Sequence, residues 1–169
     1  MVYFTSRAIE IDPMNVNHNR NLRNTEKSLY NCGGYALGTF SWYCPYERGF
    51  DPLEEGWETD LEETLITHIC VSTMLREFPN QLRQLWAWGD LEEKEESLME
   101  QLQENEYLVC FRISSDGDFH YAKKQANGVW YHKMGARQRI ERTTFEEIHE
   151  EHWLGRYNGS VVYFAKTKN

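Results

Sequence analysis

An α+β domain built around an antiparallel sheet is the fold class this sequence predicts, and three observations lead to it. Helical patterns occupy the first two thirds of the chain. Strand patterns crowd into the last third, and an Asn127-Gly128 turn joins two of the strands. A turn of that composition suits a tight hairpin, which makes its strands antiparallel. With 169 residues the chain is read as one domain, 1–169.

Residues 1–28 hold a short apolar start and an Asn-rich stretch, and read as an irregular arm. Apolar content rises from Leu29, and a helix is expected from Cys32 to Trp42, although Gly33 and Gly34 lower its propensity. Pro45, Gly49, Pro52 and Gly56 mark a loop. Thr59 with Glu62 forms a capping-box pattern for a second helix, whose apolar spacing (Leu61, Leu65, Ile69, Leu75) runs until Pro79 stops it. Leu82–Trp88 fits either a short strand or a helical turn. The acidic run Glu92–Glu106 reads as a solvated helix or loop with Leu98, Met99 and Leu102 on its apolar side. Strands are expected over 107–113, 118–124, 129–133 and 160–165. A short helix opened by Thr143/Thr144 precedes the last of them.

Composition excludes several classes. A net charge of −9 opposes phosphate-backbone binding, which depends on Lys and Arg displacing counterions, so no nucleic-acid partner is expected. No apolar run approaches the ~18 residues of a membrane helix, and Met1–Arg7 lacks the basic-then-apolar pattern of a signal peptide. A cytoplasmic protein with no membrane partner is expected, with release by lysis or in a phage particle left open. The four cysteines, 32, 44, 70 and 110, admit a disulfide framework. Cys70 and Cys110 lie among apolar neighbours, however, where a reduced Cys acts as a small hydrophobe. His149-Glu150-Glu151-His152 spaces its histidines by three rather than the four of a zinc helix, and reads as a solvated face. No metal and no cofactor are expected.

The chemistry centres on Asn31-Cys32-Gly33-Gly34. A cysteine before two glycines is either a core thiol beside a turn or a nucleophile at a helix start, where backbone N–H groups lower the thiol pKa. In the second reading Gly33 and Gly34 leave an open approach for substrate. His120 and His132 fall on partner strands of the hairpin, opposite or nearly opposite each other, so one imidazole can orient the other.

Asn31-Cys32-Gly33-Gly34-Tyr35-Ala36-Leu37, Gly117-Asp118-Phe119-His120-Tyr121 and Asn127-Gly128-Val129-Trp130-Tyr131-His132-Lys133-Met134-Gly135 together carry a resemblance. The pattern resembles the NlpC-like branch of papain-like cysteine peptidases and amidases, most of all uncharacterised members from Firmicutes and their phages. The resemblance implies a papain-like fold, in which the nucleophile-bearing helix packs on an antiparallel sheet, here with a helical, acidic insertion at 57–105. It implies Cys32 as nucleophile, His120 as base and His132 as the orienting residue, with Gly33, Gly34 and Asp118 on the substrate side. Asn-Cys-Gly-Gly departs from that family's usual Asp-Cys-Ser-Gly.

The implied function is a cysteine hydrolase that cleaves a peptide-type amide, in cell-wall peptides or elsewhere. The alternative is a phage or mobile-element binding protein on the same fold, which engages a host protein through the acidic insertion.

Overall fold

The structure is a computed structural model that describes residues 30–46, 53, 56–134 and 139–168. The expected arm at 1–28, most of the loop breakers after Pro45, and Gly135 lie outside the described residues. Four helices are described: α1 (Cys32–Ala36), α2 (Asp60–Glu77), α3 (Leu91–Gln101) and α4 (Phe145–Ile148). Six strands, β1 (Leu82–Leu85), β2 (Glu106–Ile113), β3 (Phe119–Lys124), β4 (Trp130–Lys133), β5 (Ile140–Thr143) and β6 (Val162–Thr167), form one antiparallel sheet in the order β1-β6-β2-β3-β4-β5. The fold is α+β, as the order of patterns in the chain implies.

β2 lies inside the sheet and is buried almost throughout because helices cover both faces. Tyr107, Val109, Phe111 and Ile113 join a core with α1 and α2 residues, including Cys32, Ala36, Cys70 and Met74. The alternate residues Leu108 and Cys110 join a second core with Leu98 of α3, Phe145 and Ile148 of α4, Trp153 and Tyr157. The period-two alternation of a strand thus divides one apolar run between two cores.

Three helices start at capping boxes in which side chain and backbone satisfy each other's exposed N–H groups. The pairs are Thr59 with Glu62, Asp90 with Glu93, and Thr144 with Glu147. Three helices depart from the sequence reading, two of them in which face is buried and α1 in its length. α2 buries Ile66, Cys70, Val71 and Met74, whereas Leu61 and Leu65 face outward, 80% and 57% exposed. Its buried stripe begins at Glu63, an acid at an inward position. The Glu63 carboxylate is satisfied there by Thr67 Oγ1, Ser160 N and Ser160 Oγ at 2.8–3.0 Å. Met99 of α3 is also exposed, while Leu98 is buried.

α1 ends at Ala36 instead of running to Trp42, because the chain turns back across it. A Cβ on Gly34 would sit 1.9 Å from Ser41 O, and one on Gly33 would sit 3.1 Å from the Tyr121 ring and 3.2 Å from Tyr43 O. The glycines therefore permit close backbone crossing rather than an open approach for substrate. Two further differences concern the sheet. β5 has no counterpart in the sequence reading, and the 57–105 segment is not purely helical, since its β1 pairs with β6 at the sheet edge.

The hairpin forms as expected. Gly128 has φ +84, Gln125 N donates to Val129 O at 2.9 Å, and Gly128 N donates to Gln125 O at 2.9 Å. Among the described residues no helix is long and apolar enough to cross a membrane.

Gly34→Ala should lower stability by at least about 2 kcal/mol, since the obstacle is backbone and cannot swing away. Urea denaturation followed by tryptophan fluorescence measures the loss.

Candidate active site

A cavity of about 230 Å³ lies where β3 begins, and Cys32, Asp118, His120 and Tyr157 all contribute to its wall. Cys32 arrives on the first turn of α1. Asn31 caps that helix: its Oδ1 accepts from Gly34 N at 3.0 Å and Tyr43 N at 3.1 Å, and its Nδ2 donates to Tyr43 O at 2.7 Å. One side chain thereby starts the helix and fixes the returning chain beside it. Cys44, the next residue along that strap, lines the same cavity.

The β3–β4 pairing stops at Lys123 with Tyr131, which leaves the start of β3 to meet α1. Cys32 Sγ donates to Phe119 O at 3.9 Å, a weak contact, and the backbone N–H groups of Tyr121 and Gly33 favour its thiolate. Burial outweighs them. Desolvation pushes the Cys32 thiol up to about 12, with the Asp118 charge adding to the rise and Lys133 opposing it. The depressed thiol pKa expected at a helix start is therefore not found. The helix has five residues, and the thiol is 6% exposed.

His120 Nε2 lies 2.8 Å from His132 Nδ1, a hydrogen bond between buried imidazoles. Continuing the β3–β4 register sets His132 against Ala122, so the rings meet along a diagonal rather than face to face across the ladder. Burial holds the His120 pKa well below the usual imidazole value, and His132 lowers it further. His132 is also lowered by burial, against the opposing charges of Glu141 and Glu147. At neutral pH both rings are uncharged, and in each a single N–H must choose between two nitrogens.

The His pair is enclosed by residues that the sequence reading did not assign. Tyr157 stacks on His120 at 5.0 Å and 18° between planes, and Trp153 packs on both imidazoles at 4.8 and 5.8 Å. Tyr157 Oη donates to Asp118 Oδ2 at 2.9 Å, and Arg156 Nη1 pairs with the same oxygen at 2.9 Å. Asp118 thus lines the cavity with its carboxylate already engaged. Gly33 and Gly34 are buried beneath it.

The segment carrying these aromatics is held by Arg112, the β2 residue that pairs with His120. Its guanidinium donates to Gly159 O at 2.6 Å, Ile148 O at 2.8 Å, Glu150 O at 2.6 Å and Glu151 O at 3.2 Å. An Arg in a run of apolar strand residues was the available signal, since a buried guanidinium requires several acceptors.

His149 is not on a solvated face. Its Nδ1 meets Phe145 O and its Nε2 meets Tyr163 Oη, both at 2.7 Å. All four cysteines are free thiols, and among the described residues no cluster of three His, Cys, Asp or Glu could hold a metal ion.

Residues 21–166 match the family described as a domain of unknown function (DUF7689). The chain belongs to that family. Neither the curated proteins nor the solved structures return a match.

The imidazoles also set a pH limit. An unfolded histidine takes up a proton near pH ~6.5, whereas His120 and His132 resist protonation while folded, so the unfolded state binds more protons below that pH. Stability should be full above pH ~6.5 and fall as pH drops toward 5. The urea midpoint should fall over that window, and less steeply in His120→Gln.

Proposed function

We propose that this protein is a cysteine hydrolase of papain-like, NlpC-like design that cleaves a peptide-type amide through Cys32, His120 and His132. The observation that carries this reading is the 2.8 Å His120–His132 hydrogen bond, with Cys32 and His120 on the wall of one cavity. A buried structural histidine needs one acceptor and one donor, which a backbone carbonyl and a hydroxyl supply at His149. Here a second imidazole is committed to orienting the first, which is the arrangement a general base requires.

The tautomer follows from the roles. His120 Nε2–H donates to His132 Nδ1, which leaves His120 Nδ1 with a lone pair; Cys32 Sγ rests against Phe119 O at 3.9 Å and would have to turn toward that nitrogen to be activated. The thiol and the imidazole are both neutral at rest. His120 therefore takes the thiol proton as sulfur attacks the carbonyl, instead of storing a thiolate–imidazolium pair beforehand. In this reading backbone N–H groups beside Cys32 would stabilise the oxyanion. His120 then passes its proton to the leaving amine, and water, activated by the same ring, hydrolyses the thioester. Trp153 and Tyr157 hold the base in one orientation and keep bulk water from the His–His bond.

Iodoacetamide is small enough for the cavity, and mass spectrometry resolves each cysteine. At pH 7.5 Cys32 should be alkylated faster than Cys70 and Cys110, which are buried more deeply and away from the cavity. His120→Ala should slow Cys32 at least tenfold and leave the other two unchanged, with His132→Ala giving a smaller drop. Base catalysis of this type is worth ~10²–10⁴ in rate. Equal, slow alkylation of Cys32, Cys70 and Cys110 would reject the proposal.

A further inference from the structure

We infer that a second cleft, distinct from the Cys32 cavity, binds a neutral β-linked pyranose oligosaccharide stacked on Trp86 and Trp88. This groove of about 530 Å³ runs between α2 and the β1–β6 edge. Trp86 and Trp88 are 60% and 78% exposed, while Trp130 and Trp153 are buried in the core. Two indoles turned to water on one short segment forgo a large apolar burial that nothing in the fold requires.

The segment is rigid in a way that suits a platform. Ala87 packs inward against the second core, while Trp86 and Trp88 on either side of it both line the groove. Trp86 O accepts from Gln101 Nε2 at 2.9 Å. Gly89, at φ +102, turns the chain into Asp90, the N-cap of α3. The backbone beneath the rings is therefore fixed at both ends, and a ligand would not bear the cost of ordering it.

The remaining wall selects the chemistry. Gln84 and Lys94 bring donors and an acceptor to the groove, with a single cation between them. Thr64 Oγ1 already donates to Asp60 O at 2.9 Å and His68 Nε2 meets Ser72 Oγ at 3.5 Å, which leaves the Thr64 oxygen as an acceptor and the second His68 nitrogen for a ligand. That lone cation, on a chain of net charge −9, disfavours nucleic acids and other polyanions. A wholly apolar ligand would strand the polar side chains. A proline-rich peptide has flat apolar faces but offers mainly carbonyl acceptors, and so cannot serve the acceptor atoms of Thr64, His68 and Gln84. A β-linked pyranose chain meets all the requirements. It is neutral, its ring faces present polarised C–H groups to the negative face of an indole, and its hydroxyls both donate and accept.

The test is calorimetric and fluorimetric titration of the whole protein with the soluble hexaoses of β-1,4-linked glucose and of β-1,4-linked N-acetylglucosamine. Saturable binding of at least one hexaose is expected, with a shift in tryptophan emission. Trp86→Ala and Trp88→Ala should each weaken it about tenfold. Trp42→Ala, in the wall of the Cys32 cavity, should leave it unchanged. Both positions are exposed, so the variants should keep the wild-type circular dichroism. Three results would overturn the inference: no binding of either hexaose, binding weakened by Trp42→Ala instead, or saturable binding of decaproline at Trp86 and Trp88. Alkylation of Cys32 does not enter this readout, so the outcome is independent of the hydrolase reading.

Discussion

The guanidinium of Arg112 is the point on which the second core depends. It sits on a central strand at 5% exposure and reaches four backbone carbonyls: Ile148 at the end of α4, Glu150 and Glu151 just beyond it, and Gly159. Those residues bracket an irregular segment that has little ladder pairing of its own, only the Trp153–Tyr157 bridge. Carbonyls beyond a helix end must find donors, and here one side chain supplies several of them. Removing it would leave those oxygens unsatisfied in a dry interior, a loss of roughly 3–5 kcal/mol. Lysine would not substitute, because one ammonium cannot span four acceptors spread in a plane.

Because Arg112 pairs with His120 across β2 and β3, the clamp and the candidate base share one face of the sheet. The segment that Arg112 fastens therefore returns over the imidazoles and sets Trp153 and Tyr157 on them. Desolvation then decides the charge state of everything inside. The thiol is pushed toward its protonated form and the imidazoles toward their neutral form. Both shifts follow from the single cost of a charge away from water, so burial holds the thiol and both imidazoles uncharged.

How much of this could be read from the chain depends on how local the signal was. Capping boxes at Thr59 and Thr144 lie within four residues, and the Asn127-Gly128 turn within two, so those elements were legible. So was the pairing of His120 with His132, because a hairpin fixes which residues become neighbours. α1 was read too long because its end is set by Ser41 crossing over Gly34, a contact invisible to propensity. β5 escaped because Ile140-Glu141-Arg142-Thr143 has the polar composition of an edge strand. The inward face of α2 was misread because Glu63 is buried, and Ser160, which supplies two of its three donors, lies 97 residues away. Arg112, Trp153 and Tyr157 act across some forty residues, beyond the range of any spacing rule.

The segment 57–105 illustrates why a contiguous stretch is a poor unit for assigning function. It reads as an insertion, and its acidic surface suggests a docking lobe that could be removed. Yet β1 within it closes one edge of the sheet against β6, Arg83 of β1 binds Glu106 of β2 at 2.7 Å, and α2 covers the core that contains Cys32. Excising the segment would strip an edge strand and uncover the first core. Loss of an effect on deletion would then report unfolding as readily as the loss of a docking surface. Any role of the acidic helix in binding a host protein has to be separated from its role in the fold by point changes at outward positions. Glu92, Glu96 and Glu100 qualify, because they carry charge without packing against the core. The apolar residues one turn away, Leu91, Leu98 and Leu102, are part of the second core and do not.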